Sequence, residues 1–595
     1  MSGAEFIPVS AELAELAAAC GVAVEYWDQS GAHVAVSATT VRAVLAALGY
    51  PVPDDAAVPA ALERVRLRDW RRMLPPVFVA IQGSGRRLWV HVPHGDPVQA
   101  WVELPDGTRR DLPQLDHWVD PVQVDQALIG EASFEVPGDL PLGYHRILAR
   151  STSASSSQAT EAHCPLIVTP RALDPASITG DRQWGFMEQV YATRSRQSWG
   201  LGDHLDCATL AHWSGGELGA GFLLLNPLHA AEPKAPMTPS PYLPVTRRFA
   251  NPIYLRVEEV PEFARLDARQ RERIEVQAQA LRQRNLSPEL LDRDAVWTAK
   301  RGALQQVFDA GRDGQRAAVF AAFRHEQGQG LQDFATWCAL CDVHGPDASA
   351  WPVGLRHPRS PQVADFARVH EPLVDFHAWL QWVVDQQLEQ AQRQARDAGM
   401  VIGLMHDLAV GAHPEGADAW ALQDVLAGGV SVGAPPDMYN QVGQDWSQPP
   451  WRPDALAEAA FAPYRDMLRT VLRHAGGLRI DHVLGLFRMW WVPRGMPPSA
   501  GTYVRFDHEA MIGILCLEAQ RAGAVVVGED LGTLEPWVQE VLRDRGILGT
   551  VILWFETAEA GQVRWPDHWR RDVLASVTVH DLPPPARRIP DGSAG

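Results

Sequence analysis

The sequence predicts an α/β fold: a (β/α)8-type TIM barrel with helical insertions, preceded by a helical segment and a small β-sandwich. Three observations predict it. From about residue 180, short and nearly continuous apolar runs alternate with long helical stretches, the pattern of parallel strands buried on both faces. Seven such runs occur, at 184–191, 221–228, 400–408, 477–482, 524–529, 550–555 and 576–580. Three of them end in a carboxylate, at Asp481, Glu529 and Asp581. The C-terminal ends of barrel strands converge on one mouth, so these acids meet there.

In chain order, residues 1–75 form the helical segment. Leu13, Leu16, Ala17, Cys20 and Val22 make one helical apolar face, and Val41, Val44, Leu45 and Leu48 another. Pro75-Pro76 ends it. Residues 76–170 read as the sandwich, because Val77 to Ile81, Leu88 to Val92 and Tyr144 to Leu148 alternate or run apolar between turn signals. The Ser/Ala-rich stretch 151–160 reads as a surface loop. The barrel takes residues 175–595, interrupted by a helical insertion at about 265–395. Its eighth βα unit is missing from the pattern, because the chain stops at Gly595.

Composition narrows the function. The formal net charge is −19, which opposes binding to nucleic acid or to an anionic membrane surface. No apolar run approaches the ~18 residues of a membrane span, and the start carries no basic and apolar leader. Six cysteines in 595 residues are too few for a disulfide scaffold, so the expected compartment is the cytoplasm. Only Lys234 and Lys300 are lysines, and neither sits in a phosphate-binding loop or a Schiff-base setting. The 22 tryptophans are mostly core residues, though flat apolar rings also suit the faces of sugars.

The acids carry the chemistry. Burying a carboxylate at the end of an apolar strand is costly unless it has a partner or a task. One such acid reads best as a helix cap; three in successive units read as a site. Carboxylates so grouped suit glycoside cleavage, in which one acid attacks the anomeric carbon and another protonates the leaving oxygen. Arg479 stands two residues before Asp481, so both side chains share a strand face, and the cation keeps Asp481 ionised.

The run Leu478-Arg479-Ile480-Asp481-His482-Val483-Leu484-Gly485-Leu486-Phe487-Arg488 resembles the nucleophile motif of the 4-α-glucanotransferases, the amylomaltase and disproportionating-enzyme family (glycoside hydrolase family 77). Gly528-Glu529-Asp530-Leu531-Gly532 resembles its acid/base motif, and His580-Asp581-Leu582-Pro583 the motif of its third carboxylate. Ser198 to Asp203, Ser240-Pro241-Tyr242, Arg248 to Pro252 and Gly433 to Trp446 resemble its loops, and the match spans about 180–584. The first 170 residues resemble the extra module of some bacterial members.

The resemblance implies that Asp481 is the nucleophile, Glu529 the general acid/base, and Asp581 the carboxylate that binds donor hydroxyls. It implies substrate contacts from Ser240, Tyr242, Asp407, Arg479, His482 and His580, and from Asp437, Tyr439, Gln444 and Trp446 along the glucan groove. His406 departs from the family's usual glycine. The implied partners are α-1,4-glucans and maltooligosaccharides, with no metal and no organic cofactor.

Two other signals are weaker. Gly429-Val430-Ser431-Val432-Gly433 matches the serine-hydrolase elbow, but Pro435-Pro436 oppose the helix that must follow. Cys338-Ala339-Leu340-Cys341 lacks a second pair and lies in a helical run. The strand-end chemistry alone also fits an α-glucan hydrolase. After Pro584 the family pattern is lost; that loss supports a rival reading, an α-glucan-binding protein with impaired catalysis, and an expectation that the missing βα unit weakens the barrel.

Overall fold

The computed structural model describes residues 6–153, 158–438, 440–532, 534–557, 562, 564–579 and 582. The N-terminal segment holds helices Ala11–Ala19, Ala38–Ala47 and Val58–Leu67. The first two are capped by Ser10 and Ser37, whose hydroxyls accept from the backbone N–H of Leu13 and Thr40. Between them lies an element the helical pattern did not announce: an antiparallel hairpin, Glu25–Trp27 paired with His33–Ala35. Leu13, Leu16, Val41, Val44 and Leu45 are fully buried in the same apolar cluster as Leu478 and Val526 of the barrel. This segment therefore shares its core with the barrel.

The sandwich packs a five-stranded sheet (Phe78–Ile81, Ala159–Thr169, Gly143–Thr152, Val98–Glu103, Arg109–Asp111) on a three-stranded one (Arg86–Pro93, Ala127–Val136, Val122–Val124). Leu88, Val90, Val102, Phe134, Val136 and Ile147 fill a core of its own.

Seven parallel strands follow in chain order: β1 (Gly185–Glu188), β2 (Phe222–Leu225), β3 (Gly403–Leu408), β4 (Gly477–Ile480), β5 (Val525–Gly528), β6 (Gly549–Ile552) and β7 (Val573–Ser576). Each of β1 to β4 pairs with the next, and β6 pairs with β7. A parallel bridge from Val527 to Leu548 joins β5 to the entry of β6. Strands β2 to β6 are buried along their whole length, as the continuous apolar runs require. The last run is displaced from its expected position: β7 ends at Ser576 where 576–580 was expected. Its register with β6 ends at the pair Ile552–Ser576, where β6 turns into a 3₁₀ turn at Leu553–Phe555.

The insertion holds helices Ala268–Arg282, Arg293–Asp309, Gly314–His344, Pro361–Val369 and Glu371–Asp397. Cys338 and Cys341 lie buried within it as core residues. A four-stranded antiparallel sheet runs in the order Gln444–Asp445, Val430–Ala434, Arg488–Pro493, Thr502–Arg505. Ser431 is a buried residue of its second strand.

Glu188 ends β1 and is 3% exposed. Neither carboxylate oxygen finds a well-aligned donor, so desolvation dominates and pushes its pKa up to about 7, against weaker opposition from Cys207 and Thr193. The folded state therefore binds more protons than the unfolded state between the ordinary 4.5 and about 7. Stability from this group is full below pH 4.5 and is lost as pH rises through 7, by up to about 3 kcal/mol. Glu188→Gln is expected to flatten that slope in denaturant melts taken from pH 5 to 8.

Candidate active site at the strand ends

The site grows from Arg479 on β4. It is 3% exposed, and its register partner on β3 is Asp407. Its Nη1 donates to both Asp407 oxygens, at 2.7 and 2.9 Å, and its Nη2 lies 2.9 Å from Asp481 Oδ1. The two-residue spacing has done what the pleat requires. Burial opposes the charge of Arg479, yet Asp407 and Asp481 outweigh it and hold its pKa above the ordinary value. The Tyr242 hydroxyl donates to Asp407 Oδ2 at 2.8 Å. Burial and then Asp407 raise its pKa, so it remains a phenol and a donor.

Glu529 directly follows β5. Its backbone is stitched to the Asp481 segment: its N–H donates to Ile480 O at 2.9 Å, and its carbonyl accepts from Val483 N at 3.0 Å. Its carboxylate accepts from His482 N at 2.9 Å and from Leu531 N at 3.1 Å. His482 holds a left-handed φ of 48°, a strained setting for a residue with a side chain. That turn is what aims its N–H at Glu529. Burial lowers the His482 pKa, against Asp481, and keeps the ring neutral. The ring meets Trp446 edge-on at 5.4 Å.

The neighbouring Asp530 does different work. It is 3% exposed, accepts from Thr550 N at 2.8 Å, and takes both Arg570 nitrogens at 2.6 and 2.8 Å. It is a structural tie, which leaves Glu529 as the acid of that pair bonded to the turn after Asp481. His406, the departure from the family pattern, donates from Nδ1 to Val471 O at 3.1 Å. It lies on the opposite strand face from Asp407, so it leaves the Asp407–Arg479 pair intact.

The loops close in from two sides. Ser240 Oγ accepts from Tyr242 N at 3.3 Å, and Gln448 holds the Tyr242 carbonyl at 3.0 Å. Trp446 Nε1 donates to Gln444 at 3.2 Å, and Asp437 accepts from Asn440 N at 2.6 Å. Tyr439, His580 and Asp581 lie outside the described residues. Sequence reasoning missed His229 and Arg247. His229 Nε2 accepts from Ala409 N at 3.2 Å, and Arg247 donates to Val410 O at 2.6 Å, so both brace the backbone that carries Asp407. Burial drives the His229 pKa down to about 3, as an acceptor imidazole requires. The position of His229, just past the end of β2, was the available signal. Among the described residues no group of three His, Cys, Asp or Glu side chains could hold a metal ion. No helix there is long and apolar enough to cross a membrane.

Comparisons with known proteins agree with this architecture. The family model for 4-alpha-glucanotransferase matches residues 188–588, and that for the MalQ N-terminal beta sandwich domain matches 73–170. A 4-alpha-glucanotransferase of Mycobacterium tuberculosis is 52% identical over 586 residues, covering 96% of this chain and 80% of the relative. One from Haemophilus influenzae is 32% identical over 464 residues, covering 75% of this chain and 65% of the relative. The crystal structure of amylomaltase from Corynebacterium glutamicum superposes with a TM-score of 0.89 at 48% identity, covering 97% of this chain and 80% of that one. With the barrel, the sandwich and the strand-end acids in place, the chain belongs to the 4-alpha-glucanotransferase family.

Proposed function

We propose that this chain moves α-1,4-glucan segments from a donor to the 4-hydroxyl of an acceptor by double displacement, with Asp481 as nucleophile and Glu529 as acid and base. The observation that carries the assignment is the pairing of Arg479 with Asp481 while the Glu529 carboxylate is held by His482 N. A carboxylate beside a buried guanidinium stays ionised, as a nucleophile must. Glu529 protonates the glycosidic oxygen as Asp481 attacks C1, giving a covalent glycosyl-enzyme. The acceptor hydroxyl then displaces Asp481 as Glu529 takes its proton, and two inversions keep the α-linkage. This geometry needs the two carboxyl groups about 5–5.5 Å apart.

Asp581 and His580 complete the donor site in this reading. Tyr242, Ser240 and the Asp407–Arg479 pair line it, and Asp437, Tyr439, Gln444 and Trp446 line the groove. Transfer exceeds hydrolysis when the acceptor fills the cleft and excludes water. We place the reaction in a reducing cytoplasm. The six cysteines are free, which supports that compartment.

Incubation with maltotriose is expected to yield glucose together with longer maltooligosaccharides, at a constant number of glycosidic bonds. Chromatography of the products checks it; glucose as the sole end product supports hydrolysis instead.

A further inference from the structure

We propose that the hairpin Glu25–Trp27/His33–Ala35 carries a glucan subsite beyond the catalytic centre, with Trp27 as its stacking platform and Gln29 as its tie to the loop over the substrate. The inference rests on the glucan-transfer reading above and gives the N-terminal segment a place in it.

Strand alternation sets the platform. Tyr26 turns inward and packs edge-on against Trp490 at 4.9 Å and Tyr503 at 6.0 Å. Trp27 therefore turns outward, and it is 66% exposed. Its cross-strand partner is His33, whose ring meets the indole at 5.0 Å and 62°, so the platform is propped at a fixed tilt. Glu25, on the same strand face, reaches His33 Nε2 at 3.1 Å. A flat apolar ring bordered by an imidazole and a carboxylate is the chemistry that recognises a pyranose: C–H faces stack on the ring, and hydroxyls bond at its edge.

The hairpin is built before any sugar arrives. Asp28 accepts from Ser30 N, Ser30 Oγ and Ala32 N at 2.9, 2.7 and 2.8 Å, and Gly31 supplies the positive φ of 78° that closes the turn. Its base is sewn to the antiparallel sheet: Ala23 N donates to Tyr503 O at 2.9 Å, and Thr502 Oγ1 to Ala23 O at 2.6 Å. Little freedom is left to lose on binding.

The turn also touches the catalytic loop. Gln29 Oε1 accepts from Met438 N at 2.7 Å. Met438 and Val442 of that loop are 68% and 72% exposed, so it offers apolar side chains to a ligand. The same loop returns to Trp446, which meets His482, whose N–H holds Glu529. A glucan laid along this loop runs from the acid–base carboxylate to the hairpin.

The test uses the full chain and two substrates: maltotriose as the short one, and long amylose with glucose as acceptor. Trp27→Ala is expected to lower the ratio of amylose to maltotriose kcat/KM roughly tenfold through KM, and Trp27→Phe to restore most of it. Amylose is also expected to retard the wild type more than Trp27→Ala in affinity electrophoresis. An unchanged ratio with equal retardation overturns the subsite. If maltotriose gives only glucose, the transferase reading fails, while the difference in retardation still decides the subsite.

Discussion

Asp481→Asn is expected to lower glucan transfer by about 10⁴-fold or more, with the melting transition nearly unchanged. The substitution keeps the shape of the side chain and its place 2.9 Å from Arg479 Nη2. It removes the charge that attacks C1, and an amide is too poor a nucleophile to replace it. A neutral group beside Arg479 costs only part of the ion pair, because Asp407 still holds the guanidinium from two oxygens. Initial rates with maltotriose and a thermal melt check both halves. Activity within tenfold of wild type removes Asp481 from the nucleophile role.

Arg479→Met acts on both activity and stability. The guanidinium is buried between two carboxylates, and its removal leaves Asp407 and Asp481 facing each other in a site of low dielectric. Breaking a buried pair by removing one partner costs about 3–5 kcal/mol. Asp481 also loses the Nη2 contact that orients it at 2.9 Å. We expect kcat to fall by about 10²–10³-fold and the melt to shift downward. Arg479→Lys is expected to recover stability more than rate, because an ammonium cannot hold both carboxylates in the planar fork of a guanidinium. A variant with wild-type kcat would show that Asp481 needs no cation.

Much of the site was legible in the chain itself. Strands buried on both faces must read as apolar runs, so β2 to β6 were visible from composition alone. A carboxylate at the end of such a run must be used or partnered, which singled out Asp481 and Glu529. The pleat period of two placed Arg479 on the face of Asp481, and the structure joins them at 2.9 Å. The hairpin at Glu25–Trp27 was not legible. Three-residue strands are too short to show alternation, and they lie between two strongly helical stretches.

Local pattern, then, determined the barrel class and its parallel strands, because burial on both faces and the pleat act on neighbouring residues. Tertiary structure alone decided who meets whom across long gaps. Tyr242 and Asp407 are 165 residues apart, and Gln29 and Met438 are 409 apart. It also divided adjacent acids by partner, sending Asp530 to Arg570 and Glu529 to His482 N. No local rule contains those choices, because they follow from which strand ends, loops and helices the folded core brings to the same place.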